Sequence, residues 1–356
     1  MRILFVCKRH PQQRDLIERP YGRFHHLPTH LAALGHDVGV ATCSYRGLPS
    51  LEFDRQDVAW FSDDVVALGV PRFLHAIRRR AIAFAPDWVV GCSDAWFGPL
   101  ARHLARRSGA KLAIDAYDNY EAYMRWNLPL HWAWRRALRA APLVTAAGPQ
   151  LADHLDLHRL GRPPAQVLPM AADPEFHPRD RDACRNALGL PSHAPLLGYV
   201  GSWTRSRGTH LILDAFARVR ARRPDARLVL SGRPPPEALR VPGIIGVGYL
   251  PDAQLPVLVG ALDVAGIVTA DTAFGRFSYP AKLCEAMACG TSVVATATAP
   301  LRWMLGGDPR HLAPLGDPAA FADRVLALLD APSANYPPQP DWATLAAQLA
   351  ALLATH

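Results

Sequence analysis

Short apolar runs alternate along this chain with stretches of helical period, and that alternation admits few folds. "RILFVC" (2–7) reads as a fully buried strand, "HHLPTHLAALGH" (25–36) as a helix with Leu27, Leu31 and Leu34 on one face, and "DVGVATC" (37–43) as the next strand. The same rhythm predicts strands at "WVVGC" (88–92), "KLAIDAYD" (111–118) and "LVTAAG" (143–148), with helices over 95–108 and near 129–141. Strands that are apolar throughout are covered on both faces. Strand-helix-strand units of this kind build a parallel sheet wrapped by helices.

Between 156 and 194 the rhythm is lost to turn-forming stretches such as "DPEFHPRDRD" and "LPSHAP". It restarts with strands at "PLLGYVG" (195–201), "ARLVLSG" (226–232), "IIGVGYL" (244–250), "DVAGIV" (263–268) and "TSVVAT" (291–296). Helices are predicted over 209–222, near 252–260, over 280–288 and 318–330, and a last one over 341–356 after a proline-rich connection. A chain of 356 residues exceeds what one core usually serves. The expectation is therefore α/β with two doubly wound Rossmann-like domains, residues 1–180 and 181–340. Ligand is expected where the C-terminal strand ends of both domains face a cleft.

The formal charge of +8 is compatible with nucleic acid, an anionic membrane surface or phosphorylated small molecules as partners. The basic residues are dispersed and no nucleic-acid signature or stacking platform accompanies them, so no nucleic acid is expected. Six cysteines without paired spacing or nearby histidine ligands argue against structural zinc and fit reduced thiols in a cytoplasm. The start "MRILFVC" is too short for a signal-peptide core, and no run approaches a membrane span.

Two stretches of the second half carry candidate chemistry. In "GYVGSWTRSRGTHLILDAF" (198–216) a strand ends at Gly201, a polar loop carries Arg205 and Arg207, and Gly208 precedes a helix. Such a loop offers basic groups and free backbone N–H groups to a phosphate or pyrophosphate; alternatively it is an ordinary turn with solvated arginines. In "SYPAKLCEAMACG" (278–290), Pro280 suits a first helical turn with Ser278 or Tyr279 as N-cap. Lys282 and Glu285, three apart, share a face. Lys282 can meet a phosphate as a point charge, and Glu285 can accept hydrogen bonds from vicinal hydroxyls. The other reading is an exposed ion pair worth about 0.2–0.5 kcal/mol.

Here the sequence resembles the nucleotide-sugar-dependent glycosyltransferases of the GT-B fold, of the retaining family 4 type. The stretches that carry the resemblance are 198–216, "VLSGR" (229–233), "GVGYLPDAQLPVLVGALDV" (246–264) and "PAKLCEAMACGTSVVAT" (280–296), the last close to the family's Pro-x-Lys-Leu-x-Glu donor helix. "HLPTHLAALGHDVGVAT" (26–42), "DAYDNYEAY" (115–123) and "VLPMAADPEFHP" (167–178) resemble its acceptor domain more loosely. The resemblance implies that residues 341–356 form a helix crossing back to the first domain. It implies a nucleoside diphosphate sugar, UDP- or GDP-linked, as donor substrate, with no cofactor and no metal. By it, Glu285 holds the ribose, Lys282 and Arg207 the pyrophosphate, Arg205 stands near the other basic position, and Gly201 permits close approach. Asp118 contacts the acceptor hydroxyl, with Asp115 as competitor. Lys282, Arg207 and Asp118 form the implied catalytic set, with Phe277 and Ser278 beside the donor.

The sequence departs from the pattern at Phe277, which stands where many members carry a first glutamate, eight positions before Glu285. Asp271 is the nearest upstream acid. The family's paired glycines after strand one are replaced by "RPYGRFHH" (19–26), where Arg19 and Arg23 either recognise an anionic acceptor or are solvated. "WNLPLHWAWRRALRAAPL" (126–143) places Trp126, Trp132 and Trp134 beside Arg135, Arg136 and Arg139. Its tryptophans either fill the core or dock on anionic lipid. The implied activity is retaining, metal-independent hexosyl transfer to a glycan or lipid-linked acceptor in cell-envelope polysaccharide or glycolipid synthesis, at the cytoplasmic side of the membrane. The alternatives are a catalytically degenerate nucleotide-sugar-binding protein and a nucleotide-sugar epimerase.

Overall fold

The computed structural model describes residues 1–201, 203 and 208–356. They form two compact units, Met1–Met170 with Pro340–His356, and Ala171–Gln339. The unit change comes at Met170/Ala171, ahead of the expected 180/181, because Arg23 of the first unit holds the carbonyls of Leu168 and Pro169.

The first unit is built on β1 (Arg2–Lys8), β2 (Asp37–Ser44), β3 (Leu51–Arg55), β4 (Val58–Asp64), β5 (Trp88–Cys92), β6 (Lys111–Ala116), β7 (Leu143–Ala146) and β8 (Gln166–Val167). Their order is β3-β4-β2-β1-β5-β6-β7-β8, and every pairing is parallel except the β3–β4 hairpin. Ile3 to Cys7 are buried throughout, as a strand sandwiched between helix layers requires. The chain winds outward from β1 in one direction and then resumes at β5 in the other. The β1/β5 edge is thus a topological switch point, where such sheets open a crevice beyond their C-terminal strand ends.

The sequence reading missed the hairpin, for a physical reason. β4 ends in Ser62, Asp63 and Asp64, all buried. They are satisfied by specific donors instead of signalling a surface: Arg9 donates to Ser62, Ser50 and Arg80 to Asp63, and the N–H groups of Val66 and Ala67 to Asp64. A buried strand end that is polar breaks the hydropathy pattern on which strand prediction rests.

The second unit contains β9 (Leu196–Tyr199), β10 (Arg227–Ser231), β11 (Ile244–Gly248), β12 (Val264–Ile267), β13 (Ser292–Thr296) and β14 (Leu312–Ala313), all parallel in the order β11-β10-β9-β12-β13-β14. Here the switch point lies between β9 and β12. Ile212, Phe216 and Val219 of helix His210–Arg222 and Phe321 and Val325 of helix Pro318–Asp330 build the core with Leu197 and other strand residues. The C-terminal helix, Trp342–Thr355, belongs to the first unit, where Trp342 stacks on His26 at 5.9 Å and Gln348 donates to the Val167 carbonyl. Among the described residues, no helix is long and apolar enough to cross a membrane, and the six cysteines are unpaired and buried.

One ion pair ties the first unit together. Arg23, at the start of helix Arg23–Ala33, makes two hydrogen bonds of 2.6 Å to the Asp115 carboxylate at the end of β6, and both side chains are fully enclosed. Thr145 of β7 donates to Asp115 at 2.5 Å. The arginine is therefore not available to an anionic acceptor, as the sequence had suggested, and Asp115 is committed to structure. Removing one partner leaves a buried charge unpaired, so Arg23→Ala is expected to destabilise the first unit by about 3–5 kcal/mol. Urea unfolding followed by tryptophan fluorescence measures this; a loss below about 1 kcal/mol would show the pair to be dispensable.

Candidate functional site

In the second unit, the described donor candidates Gly201, Phe277, Ser278, Lys282 and Glu285 lie on the segments that follow β9 and β12, the two strands of the switch point. β9 ends at Tyr199, and Gly201 follows with φ +137°, a backbone conformation that side-chain-bearing residues rarely adopt. Its N–H donates to the Ser231 hydroxyl at the end of β10, 3.1 Å away, which fixes the strand exit. Beyond β12, the Thr269 N–H and carbonyl both bond to the Thr296 hydroxyl at the end of β13, at 2.9 and 3.0 Å. The segment then folds into a tight turn at Gly275–Phe277. A Cβ on Gly275 would lie 2.0 Å from the Ala270 carbonyl, so only glycine fits there.

Helix Ala281–Ala288 starts directly after this turn. Its N-cap is Pro280, with extended backbone, and not Ser278 or Tyr279. Proline serves because its fixed φ suits the cap and it has no N–H to leave unsatisfied. Ser278 is buried at the end of the Gly275–Phe277 turn, and Tyr279 packs edge-on against Trp303 at 5.8 Å.

Lys282 and Glu285 are half-buried on this helix. The Lys282 ammonium sits 4.3 Å from the centroid of the Tyr199 ring, a cation–π contact that carries the charge to the C-terminal end of β9. Tyr199 in turn meets Trp203 edge-on at 5.2 Å. Glu285 faces inward enough to act on the buried thiols of Cys284 and Cys289. Both are pushed up to about 12, by burial first and by the Glu285 charge second. A solvated surface ion pair does not describe these two residues. Arg205 and Arg207 lie outside the described residues. Asp271, the upstream acid, makes a two-point pair with Arg276.

In the first unit, Asp118 lies just beyond β6 and is 6 % exposed. It accepts a 2.6 Å hydrogen bond from the Tyr123 hydroxyl, whose pKa rises through burial and then through the Asp118 charge. The structure also brings forward Asp94, two residues beyond β5. Its Oδ1 is buried without a hydrogen-bond partner, and burial raises its pKa against the pull of Lys8. No motif marks Asp94 in the sequence; the signal was its place directly after an apolar strand. Tyr199 and Ser231 were overlooked because both sit inside predicted strands.

A groove of about 370 Å³ in the second unit is lined by Phe216, Ala217, Arg220, Ala221, Pro224, Val241 and Pro242, away from this strand edge. Arg220 is its one charged lining residue and is spent on the Pro242 carbonyl. It is an apolar surface groove without converging polar groups. Among the described residues no cluster of three His, Cys, Asp or Glu side chains is arranged to hold a metal.

Comparison with known proteins fits this geometry to a family. Residues 194–331 match "Glycosyl transferases group 1" and residues 23–176 match "Glycosyltransferase Family 4". The chain belongs to the family 4 type of GT-B glycosyltransferases. Among curated proteins it is 34 % identical over 174 residues to a D-inositol 3-phosphate glycosyltransferase of Stackebrandtia nassauensis, a stretch covering 44 % of this chain and 38 % of that one. The chain thus spans less than half the length of the first curated relatives it matches. Among solved structures, sucrose-phosphate synthase from Thermosynechococcus elongatus aligns with a TM-score of 0.72 and 17 % identity, covering 100 % of this chain and 94 % of that one. Anabaena HepE in complex with UDP aligns with a TM-score of 0.69 and 15 % identity, covering 100 % and 95 %. At these identities the two structures speak for the GT-B fold alone.

The backbone at Gly201 sets the exit of β9 in this site. Gly201→Ala is expected to cost about 1–3 kcal/mol of second-unit stability, since alanine cannot relax at that φ. Thermal unfolding of the variant checks it; a wild-type melting temperature would show that the loop adapts.

Proposed function

We propose that this protein transfers a glycosyl group from a nucleoside diphosphate sugar, UDP- or GDP-linked, to a glycan or lipid-linked acceptor, with retention at the anomeric carbon. The observation that carries the reading is the placement of Lys282, through its contact with Tyr199, at the β9/β12 switch point, with Glu285 one turn further along the same helix. An ammonium group and a helix N-terminus at that edge suit a diphosphate, and a carboxylate one turn on suits the ribose hydroxyls.

Negative charge builds on the diphosphate as the glycosyl bond breaks. Lys282 and the helix N-terminus would stabilise it, joined by Arg205 and Arg207 on the strength of their sequence position. On this reading the leaving group is neutralised by side chains, and the reaction proceeds without a divalent metal or cofactor. Glu285→Ala and Lys282→Met are each expected to weaken UDP or GDP binding by about tenfold or more, the usual worth of a charge-assisted hydrogen bond. Isothermal titration with both nucleotides, followed by donor-hydrolysis assays across UDP- and GDP-sugars with and without excess chelator, tests the scheme. Loss of turnover that magnesium restores would overturn metal independence.

Phe277 favours one second reading. It ends the Gly275–Phe277 turn, eight positions before Glu285, where many family members have an acid. Tight nucleotide binding with no turnover of any donor would identify a nucleotide-sugar-binding protein that has lost catalysis.

We further propose that the protein works at the cytoplasmic face of a membrane, in cell-envelope polysaccharide or glycolipid synthesis. The helix Leu128–Ala140 divides its tryptophans: Trp134 is buried against Tyr120, whereas Trp132 and the preceding Trp126 are 62 % and 79 % exposed beside the exposed Leu128. Arg136 stacks on Trp132 at 4.6 Å, a pairing of apolar ring and cation that suits an anionic lipid surface. Vesicles rich in anionic lipid are expected to sediment the protein at low salt, and Trp126→Ser with Trp132→Ser to reduce this severalfold. No sedimentation of the wild type would end the membrane reading.

A further inference from the structure

The positive charge of the chain is gathered in one helical layer of the first unit. Helix Phe97–Ser108 packs against both helix Val70–Phe84 and helix Leu128–Ala140. Together the three carry ten arginines and neither aspartate nor glutamate, more than the formal charge of +8 of the whole chain. The remainder of the protein is therefore slightly acidic.

The fold leaves most of this charge uncompensated. Among the described residues, Arg80 is matched to Asp63 and Glu52 and Arg135 to Glu121, whereas the other eight arginines meet no carboxylate. Arg139 donates to the His158 carbonyl, and Arg136 covers the Trp132 ring. Arg72, Arg79, Arg106 and Arg107 are exposed and make no hydrogen bond or ion pair among the described residues. Ile77 and Leu104, on the opposite faces of the same two helices, are buried. His103 registers the field: its pKa lies below the ordinary value, through partial burial first and then through Arg107, Arg78 and Arg106. The influence of Arg78 crosses from the neighbouring helix, so the two helices act on one patch of surface.

The patch is not purely polar. Val70, Leu74 and Ile82 are exposed on the first of these helices, as Trp132 is on the third. A nucleic acid would answer the charge through its phosphates but offers these side chains little apolar contact. An anionic bilayer answers both, with headgroups for the arginines and the acyl boundary for the apolar side chains.

We propose that helices Val70–Phe84 and Phe97–Ser108 form a charge-reading face for an anionic lipid bilayer. Their unpaired arginines meet its headgroups collectively, so that the protein gathers on leaflets rich in anionic lipid and leaves them as the surface charge falls. The choice of a bilayer rests on the membrane reading drawn from Trp126 and Trp132, and the charge dependence is what these two helices add to it. Each Lys or Arg brought to such a surface is worth about fivefold in partitioning, so several acting together make recruitment a steep function of lipid charge.

The test uses the full chain and vesicles of phosphatidylcholine with graded phosphatidylglycerol. Sedimentation at low salt is expected to show partitioning that rises about tenfold or more from neutral to strongly anionic vesicles, and that falls as salt screens the surface. Arg72→Gln with Arg79→Gln, and Arg106→Gln with Arg107→Gln, are each expected to weaken binding about tenfold or more, while the corresponding Arg→Lys pairs keep most of it. These side chains hold no contact of the fold, so the variants are expected to melt as the wild type does. Wild-type partitioning in both glutamine pairs, with loss in Trp126→Ser with Trp132→Ser, would defeat this inference and leave the membrane reading standing. Equal binding to neutral and anionic vesicles would overturn the charge dependence, and no binding to any vesicle would defeat both readings. Release from the vesicles by an equal charge of duplex DNA would overturn lipid as the partner.

Discussion

The buried pair of Arg23 and Asp115 is the contact on which the geometry of the first unit depends. One guanidinium joins the first turn of a helix, the C-terminal end of β6 and the chain leaving β8, while Thr145 brings in β7. Two opposite charges taken fully out of water repay their desolvation only when nearly every donor and acceptor is satisfied, as here. A hydrophobic cluster would tolerate a small slip of register; a two-point ion pair does not. Asp118, three residues on, instead accepts a hydrogen bond from the Tyr123 hydroxyl.

Much of the architecture is legible in the sequence, because parallel strands covered on both faces must be apolar throughout. "RILFVC" and "WVVGC" announce themselves, and so does the restart at "PLLGYVG". What stayed hidden is polar. β4 could not be read because Ser62, Asp63 and Asp64 are buried on donors from distant segments. Arg23 was weighed as a ligand group because no local pattern shows that Asp115 waits for it 92 positions later. The cap at Pro280 lies one position beyond Tyr279 and two beyond Ser278, the two residues expected, as a tight turn just before a helix competes for the residues that usually cap it.

The candidate sites divide in the same way. Lys282 and Glu285 were visible as a pair because both lie on one helix, where spacing is geometry. Tyr199, which carries Lys282 to the strand edge, is 83 residues away in sequence and looked like one more apolar strand residue. Lys8 and Asp94 were invisible as neighbours: they come from the ends of β1 and β5, which only the sheet order brings side by side. Both sheets thus present polar groups where their strand order reverses. A sequence shows the strands but not the order in which they pair.

The assignment of residues 340–356 to the first unit bears on how the protein is made. The second unit is continuous in sequence, so it can complete its core while the chain is still being synthesised. The first unit begins earlier yet lacks the helix that covers His26 until residues 340–356 emerge. Its apolar surface under that helix must wait, exposed, through the translation of an entire domain. Of the two units, the one that starts earlier in the sequence is therefore completed later, and in that interval its uncovered apolar surface is open to chaperones and to aggregation.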